Sequence, residues 1–319
     1  MIPLLIPTAD PKVYEINFDN SSLELYTTCK RKAQMYSITR REPAVTGAAL
    51  FFGTVAHGAL TIRKSAMVTG NPAWETEQVD YIIRKYTENP SAIEEWRTPD
   101  LLIDVIKAYN KRWPLAEEPF TIVDAFIEKS FRLFLGDAEV EATLQTPTGP
   151  VYVESLRIYY TGRLDACIKM FEQIFVMDHK TASVTGESYY EDFELSSQML
   201  GYTWALRELG YPAVGLFADV LETRKPSATG KSINQRRQPY WYNDFHVDEW
   251  KMDTLHLISA FIEEWITGFF AKGTKWCHGK YGRCGYWQVC TQPSVEGRAA
   301  VLDSELYKNV EWSPLNETD

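Results

Sequence analysis

Residues 162–180 read GRLDACIKMFEQIFVMDHK. Two apolar segments, 162–170 and 173–178, follow each other so closely that they predict a β-hairpin. Asp165 lies in the first segment, and Asp178 and Lys180 lie at the end of the second. The sequence therefore predicts two carboxylates and a lysine at neighbouring strand ends, where they can share one pocket.

These three side chains suit one kind of chemistry. Carboxylates are hard oxygen ligands for Mg²⁺ or Mn²⁺, and such an ion binds phosphate oxygens and activates water. Lys180 is two residues beyond Asp178 and lies on the same face of the strand, where it can orient the water or offset charge on the phosphorus. An Asp-x-Lys pair alone is more typical of an ordinary strand that ends in a surface lysine, and only the neighbouring motifs favour an active site.

Two further polar motifs flank the hairpin. Downstream, Gln198 and Tyr202 are four residues apart and share one face of a predicted helix. Upstream, Gly53 is followed by His57, whose imidazole is a common metal ligand, at the start of another predicted helix.

The remaining pattern is helical in the first third and mixed afterwards. Helices are predicted at about 21–33, 54–66, 75–113, 194–209 and 247–270, and further strands at about 120–134, 151–160, 213–221 and 240–242. Residues 223–239 are predicted to form a basic loop. This alternation indicates an α/β fold.

The composition is that of a folded protein, with 45% hydrophobic and 24% charged residues. The formal charge of −10 argues against a protein that coats nucleic acid non-specifically, because such binding needs an excess of Lys and Arg. Two local basic runs are candidate DNA contacts: Lys30 and Arg31 in the first helix, and Arg236 and Arg237 beside the aromatic residues 240–242. Solvated surface charge explains such runs equally well.

No apolar stretch approaches the roughly 18 residues that span a bilayer. Met1–Pro7 lacks the basic and apolar regions of a signal peptide. We therefore expect a cytoplasmic protein without a membrane partner, in which cysteines stay reduced.

The motifs together resemble a known family. In chain order, Gly53-x-x-x-His57, Gly162-x-x-Asp165, Asp178-x-Lys180 and Gln198-x-x-x-Tyr202 are similar to the motifs of RecB-like nucleases of the PD-(D/E)xK superfamily, over about 150 residues. The resemblance implies that His57, Asp165 and Asp178 bind metal together with the backbone carbonyl of His179. It also implies that Lys180 is catalytic and that Gln198 and Tyr202 position the lysine, the water or the DNA strand.

Glu128 lies in the strand before the Gly162 motif, where related nucleases often have another acidic residue near the metals. The resemblance makes it a further candidate ligand. An exposed strand glutamate is an equally good interpretation.

The cysteines extend the resemblance to AddB-like and Cas4-like domains. Cys29 stands in a helix that resembles their N-terminal cysteine motif, and Cys277, Cys284 and Cys290 resemble their C-terminal triplet. The four thiolates imply a [4Fe–4S] cluster, with structural zinc as the alternative. Six residues separate Cys277 from Cys284 where the family commonly has two, which leaves the second ligand open. Cys167 has no counterpart and is expected to be a small buried hydrophobe.

The implied architecture is a restriction-endonuclease-like α/β core, in which a mixed central sheet is flanked by helices. Residues 1–57 would carry the first cysteine and the His motif, 58–118 a helical insertion, 119–245 the nuclease core, and 246–319 the last long helix, the iron–sulfur segment and the tail.

The implied activity is Mg²⁺- or Mn²⁺-dependent hydrolysis of DNA. We expect an exonuclease that prefers single strands or free ends and acts 5′→3′ in recombination, repair or phage DNA metabolism, encoded by a bacterium, an archaeon or a phage. Two alternatives remain: an inactive DNA-binding or recombination scaffold, and an iron–sulfur redox sensor.

Overall fold

A computed structural model of the chain describes residues 4–45, 47–94, 96–183, 185–223, 235–279, 282–310 and 313–315. The chain forms two compact units, each assembled from separated segments. Unit 1 comprises Met1–Val45, Ser130–Gly162 and Glu249–Asp319, and unit 2 comprises Thr46–Lys129 and Arg163–Asp248. The units interleave along the chain, because two long strands and one long helix each pass from one unit into the other.

The helices and strands alternate along the chain, as expected for an α/β protein. The helices are α1 (Asn20–Thr28), α2 (Lys30–Ala33), α3 (Ala48–Thr69), α4 (Trp74–Glu88), α5 (Pro99–Arg112), α6 (Glu187–Glu191), α7 (Ser197–Glu208), α8 (Asp244–Thr267), α9 (Trp287–Cys290) and α10 (Val295–Leu302). The strands are β1 (Ile6–Pro7), β2 (Val13–Phe18), β3 (Arg41–Pro43), β4 (Thr121–Thr146), β5 (Gly149–Met170), β6 (Gln173–Ala182), β7 (Ala213–Glu222), β8 (Gln235–Trp241), β9 (His278–Gly279), β10 (Gly282–Arg283) and β11 (Tyr307–Asn309).

Unit 2 contains a mixed sheet in the order β5, β6, β7, β8. β5 and β6 are antiparallel, β6 and β7 parallel, and β7 and β8 antiparallel. The predicted hairpin between β5 and β6 is confirmed, and it turns at Phe171 and Glu172, which both have positive φ angles of 50° and 61°. Positive φ at both turn residues matches the twist of paired strands. The hairpin brings the two predicted acidic strands together.

Helices α3, α4 and α5 pack together in unit 2. Their shared core includes Val55, Leu60, Ile82 and Ile106, all nearly inaccessible to solvent. The single helical stretch predicted for 75–113 is in fact two helices with a break at 89–98. Pro99 begins α5, and the Thr98 side chain accepts a hydrogen bond from the Leu101 amide and so caps it.

Unit 1 is built around β2, which pairs in parallel with the first part of β5. Phe18, Tyr26 and Phe261 pack edge to face in its interior, with ring centroids 5.5 Å apart in each contact with Phe261. The strands predicted separately at 151–160 and 162–170 form one continuous strand, β5. No helix in the described part of the chain is long and apolar enough to cross a bilayer.

β8 differs most from expectation. It begins at Gln235, five residues before the predicted edge strand at 240–242, and pairs with β7 from Leu221↔Gln235 to Gly215↔Trp241. Its polar composition suggested a loop, but backbone pairing does not depend on apolar side chains. Residues 224–234, which include the basic residues Arg224, Lys225 and Lys231, lie outside the described residues.

Candidate active site

Helix α3 carries His57 to the end of strand β6. A Cβ atom on Gly53 would lie 3.0 Å from Thr181 Oγ1, directly after Lys180, so a glycine allows the close approach of helix and strand. The helix is also close to α4, because a Cβ atom on Gly58 would lie 2.1 Å from the Tyr81 hydroxyl oxygen. These two glycines let α3 fit between the sheet and the helices behind it.

Asp165 is buried at the centre of the site. Its Oδ2 atom accepts a hydrogen bond of 2.7 Å from the His179 backbone N–H and lies 3.4 Å from His57 Nδ1. Burial alone would raise the pKa of Asp165, but the charges of His57 and Lys64 lower that pKa well below its usual value. Asp165 is therefore held as a carboxylate.

A hydrogen-bonded chain runs from β6 to α7. Lys180 Nζ lies 2.8 Å from Asp178 Oδ2 and donates a 3.0 Å hydrogen bond to Gln198 Oε1. Gln198 Nε2 in turn donates to the Tyr202 hydroxyl at 3.1 Å. The spacing of Gln198 and Tyr202 on one helix face makes this contact possible. The structure thus brings four of the predicted site residues into direct contact.

The two acidic residues repel each other inside the protein. Ala166 pairs with Met177 in the β5–β6 ladder, so Asp165 and Asp178 follow as neighbours at its end. Burial raises the pKa of Asp178, Lys180 opposes this shift, and the charge of Asp165 adds to it. A divalent cation beside both carboxylates would relieve this repulsion.

The donor set fits a divalent metal by its chemistry. Asp165 and Asp178 are hard oxygen donors, and His57 adds an imidazole within reach of Asp165. Among the described residues, no three His, Cys, Asp or Glu side chains surround a common point at ligand distance. The fit therefore rests on two buried, mutually repelling carboxylates.

Glu128 is engaged by neighbours on α3. Its Oε1 atom accepts hydrogen bonds from Thr61 Oγ1 at 2.8 Å and from Lys64 Nζ at 3.0 Å. Lys64 Nζ also donates to the Asp165 backbone carbonyl at 2.8 Å. Glu128 is thus next to the strand of Asp165, as expected, but a lysine is placed between them. It is not the exposed strand glutamate that the alternative interpretation described.

A buried polar network behind the site was not anticipated. Asp219 lies on β7, with its Oδ2 atom 3.1 Å from His179 Nδ1 and its Oδ1 atom 3.3 Å from Arg237 Nε. The Asp219 carboxylate also accepts a hydrogen bond from the Tyr109 hydroxyl. Arg237 also binds Glu118, with 2.6 Å between Nη1 and Oε2. One signal was present in the sequence: Asp219 interrupts an apolar strand, and a buried carboxylate needs partners.

The expectation that Arg237 contacts DNA is corrected by this network. Its side chain is only 3% exposed and is held by Asp219 and Glu118. Arg236 has the opposite orientation, as alternation along a strand requires: its side chain is 34% exposed, pairs with Glu187 and lies over the Tyr190 ring. Only Arg236 of this pair is accessible as a DNA contact.

The basic residues of the first helices are also engaged. Lys30 forms an ion pair with Glu264, and Arg31 Nε donates a 2.9 Å hydrogen bond to the Phe270 carbonyl. These contacts connect α2 with the end of α8 and the segment after it. Lys30 and Arg31 therefore both have partners within the protein and do not require DNA to be satisfied.

The four predicted cluster cysteines all lie in unit 1, and all are free thiols. The six residues between Cys277 and Cys284 contain the β9–β10 hairpin, whose outermost pair is His278↔Arg283. The Cys284 N–H consequently donates a 2.9 Å hydrogen bond to the Cys277 carbonyl. The long spacing therefore keeps these two cysteines adjacent instead of separating them.

Cys29 and Cys290 belong to the same neighbourhood. The Gly273 N–H donates to Cys29 Sγ at 3.2 Å. Burial raises the pKa of Cys290, and the nearby thiols of Cys284 and Cys29 raise it further. Cys167, in contrast, is fully buried in β5, as expected of a small hydrophobe.

Comparison with known proteins gives one strong match. The sequence matches the family model of the PD-(D/E)XK nuclease superfamily over residues 20–291. No curated protein matches the sequence. Among solved structures, a protein described as "Putative exonuclease" from Eubacterium rectale is 10% identical, with 80% of this chain and 83% of that chain covered and a TM-score of 0.45. A second solved structure, that of SSO0001, is 14% identical in sequence. The alignment covers 55% of this chain and 70% of the SSO0001 chain, with a TM-score of 0.24.

Proposed function

The chain belongs to the PD-(D/E)XK nuclease superfamily, and from this premise we propose that it is a Mg²⁺- or Mn²⁺-dependent deoxyribonuclease. The observation that carries the proposal is the contact chain from Asp178 through Lys180 and Gln198 to Tyr202, beside the buried Asp165. An ordinary strand that ends in a surface lysine would not need these partners. Each member is also a predicted motif residue.

Lys180 is the residue that would act on the reacting phosphate. An ammonium group has three N–H donors, and two of them are directed at Asp178 and Gln198. Among the residues that the structure describes, none takes the third, which could donate to the attacking water or to a phosphate oxygen as negative charge develops there. The side chain is 30% exposed and is therefore not sealed from solvent.

Gln198 and Tyr202 would act as positioning residues. The Tyr202 hydroxyl accepts from the Gln198 amide nitrogen, which turns the amide oxygen toward Lys180. This arrangement limits the rotation of a long, flexible lysine side chain. A fixed ammonium is worth more in catalysis than a mobile one, since its orientation needs no reorganisation during the reaction.

Asp165, Asp178 and His57 would hold the metal, which when bound supplies Lewis-acid stabilisation of phosphate charge and activates water. The His179 N–H fixes the Asp165 carboxylate. The His179 side chain is itself held by Asp219. The peptide whose carbonyl is proposed as a further ligand therefore has a fixed orientation.

Digestion of labelled DNA tests this function. Purified protein is incubated with single-stranded and double-stranded DNA, with Mg²⁺, with Mn²⁺ or with chelator, alongside Asp178→Asn. The proposal expects cleavage only by the unaltered protein and only with divalent metal. Binding of DNA without cleavage under all conditions would favour the inactive scaffold.

We further propose that the enzyme is an exonuclease that prefers single strands and acts 5′→3′. This preference rests on the resemblance to helicase-free nucleases of the RecB-like branch. Linear and circular single strands, labelled at either end, separate the possibilities: digestion of the circle would contradict an exonuclease, and early release of a 3′ label would contradict the polarity.

We also propose that Cys29, Cys277, Cys284 and Cys290 hold a [4Fe–4S] cluster, with zinc as the competing occupant. Support comes from four free thiols in one unit and from the hairpin that joins Cys277 to Cys284. The raised pKa of Cys290 adds to it, because the Cys284 and Cys29 thiols contribute to that shift after burial. Metal analysis of protein purified without oxygen distinguishes iron from zinc.

A further inference from the structure

A cavity in unit 1 contains polar groups that the mechanism above does not use. Its volume is about 70 Å³, and it lies between the start of α1, the segment that follows α2 and the chain at 313–314. The residues around it include the apolar Phe18 and Phe261 and the polar Asp19, Ser37 and Arg40. All of them belong to unit 1, whereas the candidate active site belongs to unit 2.

Two hydrogen-bond donors at this cavity have no partner among the described residues. They are Ser37 Oγ and Arg40 Nε, and both atoms are buried. Ser37 is only 8% exposed. Within the described part of the chain, the Arg40 side chain donates one hydrogen bond, a long one of 3.5 Å from Nη2 to the Val310 carbonyl. Burying a donor without an acceptor is unfavourable, so two such donors at one cavity indicate a site for an acceptor.

The backbone that carries these donors is irregular. Gln34–Ile38, which includes Ser37, forms a turn of π-helix, a rare conformation that is frequent at functional sites. Arg40 follows with a φ angle of 57°, in the left-handed region that residues with side chains seldom adopt. Such a conformation persists only where the surrounding structure enforces it. Ser37 and Arg40 therefore reach the cavity from a backbone that a regular helix would not provide.

The Arg40 guanidinium has too little negative charge around it. Burial lowers the pKa of Arg40, and the charges of Tyr36, Asp19 and Glu42 oppose this shift without cancelling it. Asp19 is also at the cavity, but its Oδ1 atom caps α1 by accepting a 2.7 Å hydrogen bond from the Ser22 N–H. Burial raises the pKa of Asp19, which makes this carboxyl a weaker counterion. An anion in the cavity would supply the missing charge.

The size of the cavity limits the ligand. A bound water needs about 10–15 Å³ of such space, so a cavity of about 70 Å³ suits a group of roughly five non-hydrogen atoms. A phosphate group, with one phosphorus and four oxygens, has this size, and guanidinium groups bind phosphate well.

We propose that this cavity binds a phosphate group, which accepts hydrogen bonds from Arg40 Nε and Ser37 Oγ. The phosphate can belong to a DNA strand or to a free phosphate ion, and the recognition is the same for both. This is a second binding site beyond the proposed nuclease site, and it does not depend on that function.

Calorimetric titration of the full chain with inorganic phosphate tests the proposal, in chelator so that no divalent metal takes part. The unaltered protein should bind one phosphate per chain. Arg40→Gln should lower the affinity by about tenfold or more, because a charged donor is lost. Arg41→Gln is the matched control: Arg41 pairs with the exposed Asp303, so the affinity should stay within about a factor of two. No phosphate binding by the unaltered protein, or equal losses in both variants, would overturn the proposal.

Ser37→Ala keeps the proposal testable if Arg40→Gln fails to fold. The substitution removes a buried hydroxyl that has no partner among the described residues. Without phosphate, the unfolding temperature should therefore stay the same or rise. The rise in unfolding temperature that phosphate causes should become smaller, because one donor is gone. A variant that is less stable without phosphate and responds to phosphate as fully as the unaltered protein would make Ser37 a structural residue and overturn the proposal.

Single-stranded DNA in the same chelator separates the two sources of phosphate. If a DNA phosphate enters the cavity, DNA should displace inorganic phosphate, and Arg40→Gln should reduce the salt dependence of DNA binding by about 0.7 in log–log slope. If the ligand is free phosphate, it should bind equally with and without DNA. Either result supports the phosphate site. A failed phosphate titration would leave the nuclease proposal intact, because metal-dependent cleavage is measured separately.

Discussion

Arg237 and Arg236 are adjacent arginines with opposite surroundings. Replacing Arg237 with Met should lower the free energy of unfolding by about 3–5 kcal/mol, because Asp219 and Glu118 would lose a buried counterion. Arg236→Gln is the matched control, and it should cost no more than about 1 kcal/mol because its ion pair with Glu187 is exposed. Urea denaturation of both variants measures the difference. Equal losses would mean that the buried network is not formed.

For individual residues, the short sequence motifs predicted side-chain contacts better than the positions of charged residues did. The spacing of Gln198 and Tyr202, and of Asp178 and Lys180, is local and follows from helix and strand periodicity. Their contact with each other required only that both motifs face one pocket. The burial of Arg237 depends on Glu118 and Asp219, which are far away in sequence, and the same is true of Lys64 and Glu128. A positive charge in a sequence does not reveal whether a distant carboxylate buries it.

Strand β7 and helix α5 are linked through Asp219 and Tyr109, and this link should depend on pH. Burial alone would raise the pKa of Asp219, but Arg237, His179 and Tyr109 lower it well below its usual value. The unfolded chain then binds more protons than the folded chain on acidification. The stabilisation is therefore complete above the unfolded pKa of about 4 and is lost as the pH falls below it.

Thermal unfolding between neutral and acidic pH checks this linkage. The unaltered protein should lose stability more steeply below about pH 4 than Asp219→Asn does, because asparagine does not titrate. The variant should also be less stable at neutral pH, since Arg237 loses a counterion. Parallel pH profiles for the two proteins would contradict the assigned pKa direction.

The segment after α8 approaches the N-terminal cysteine so closely that only a glycine fits. A Cβ atom on Gly273 would lie 2.5 Å from the Thr28 carbonyl oxygen and 3.2 Å from Cys29 Cα. Gly273→Ala should therefore displace Cys29 and reduce the iron content of anaerobically purified protein. Gly47→Ala is the control, because nothing lies within 4 Å of the added atom. Equal iron content in both variants would contradict the idea that the close approach of Gly273 holds Cys29 in place for the cluster.

At the scale of elements, the periodic apolar segments were predictable and the polar ones were not. The β5–β6 hairpin and helix α7 follow from apolar patterns and turn residues. The first part of β8 was not predicted because residues 235–238 are polar. This segment is recognised as a strand only by its pairing with β7. The break between α4 and α5 was not predicted, because the apolar residues of both helices recur with the same helical spacing and suggest one continuous helix.

Cys29 is 248 residues from Cys277 in the whole chain, so a cluster that joins them would close most of the molecule into one loop. By analogy with the entropy of disulfide loops, such a closure stabilises the folded state by roughly 5 kcal/mol. Cys29→Ala should lose the broad visible absorbance of an iron–sulfur protein and unfold at a much lower temperature. Cys167→Ala should keep the absorbance, because Cys167 is buried in unit 2 whereas the four proposed cluster cysteines belong to unit 1. A colourless unaltered protein that contains zinc would overturn the cluster and leave the nuclease proposal intact.

The order of motifs along the chain was sufficient to predict the superfamily, but it does not mark where the chain passes from one unit into the other. Motif residues need only the correct order and face. The units depend on β4 and β5, which are each longer than 20 residues and pass through both. Nothing in their apolar pattern marks the positions at which they change units.

We propose that this pocket hydrolyses DNA and that Lys180 acts in the reaction itself. The most direct measurement compares Lys180→Ala with Lys169→Ala, whose lysine is on β5 and pairs with the exposed Glu172. We expect Lys180→Ala to abolish Mn²⁺-dependent cleavage of single-stranded DNA while DNA binding and Mn²⁺ binding stay nearly unchanged, because in the proposed site the lysine would stabilise the transition state and the carboxylates would hold the ion. Lys169→Ala should cleave at the rate of the unaltered protein. Cleavage by Lys180→Ala at a near-normal rate would contradict the account.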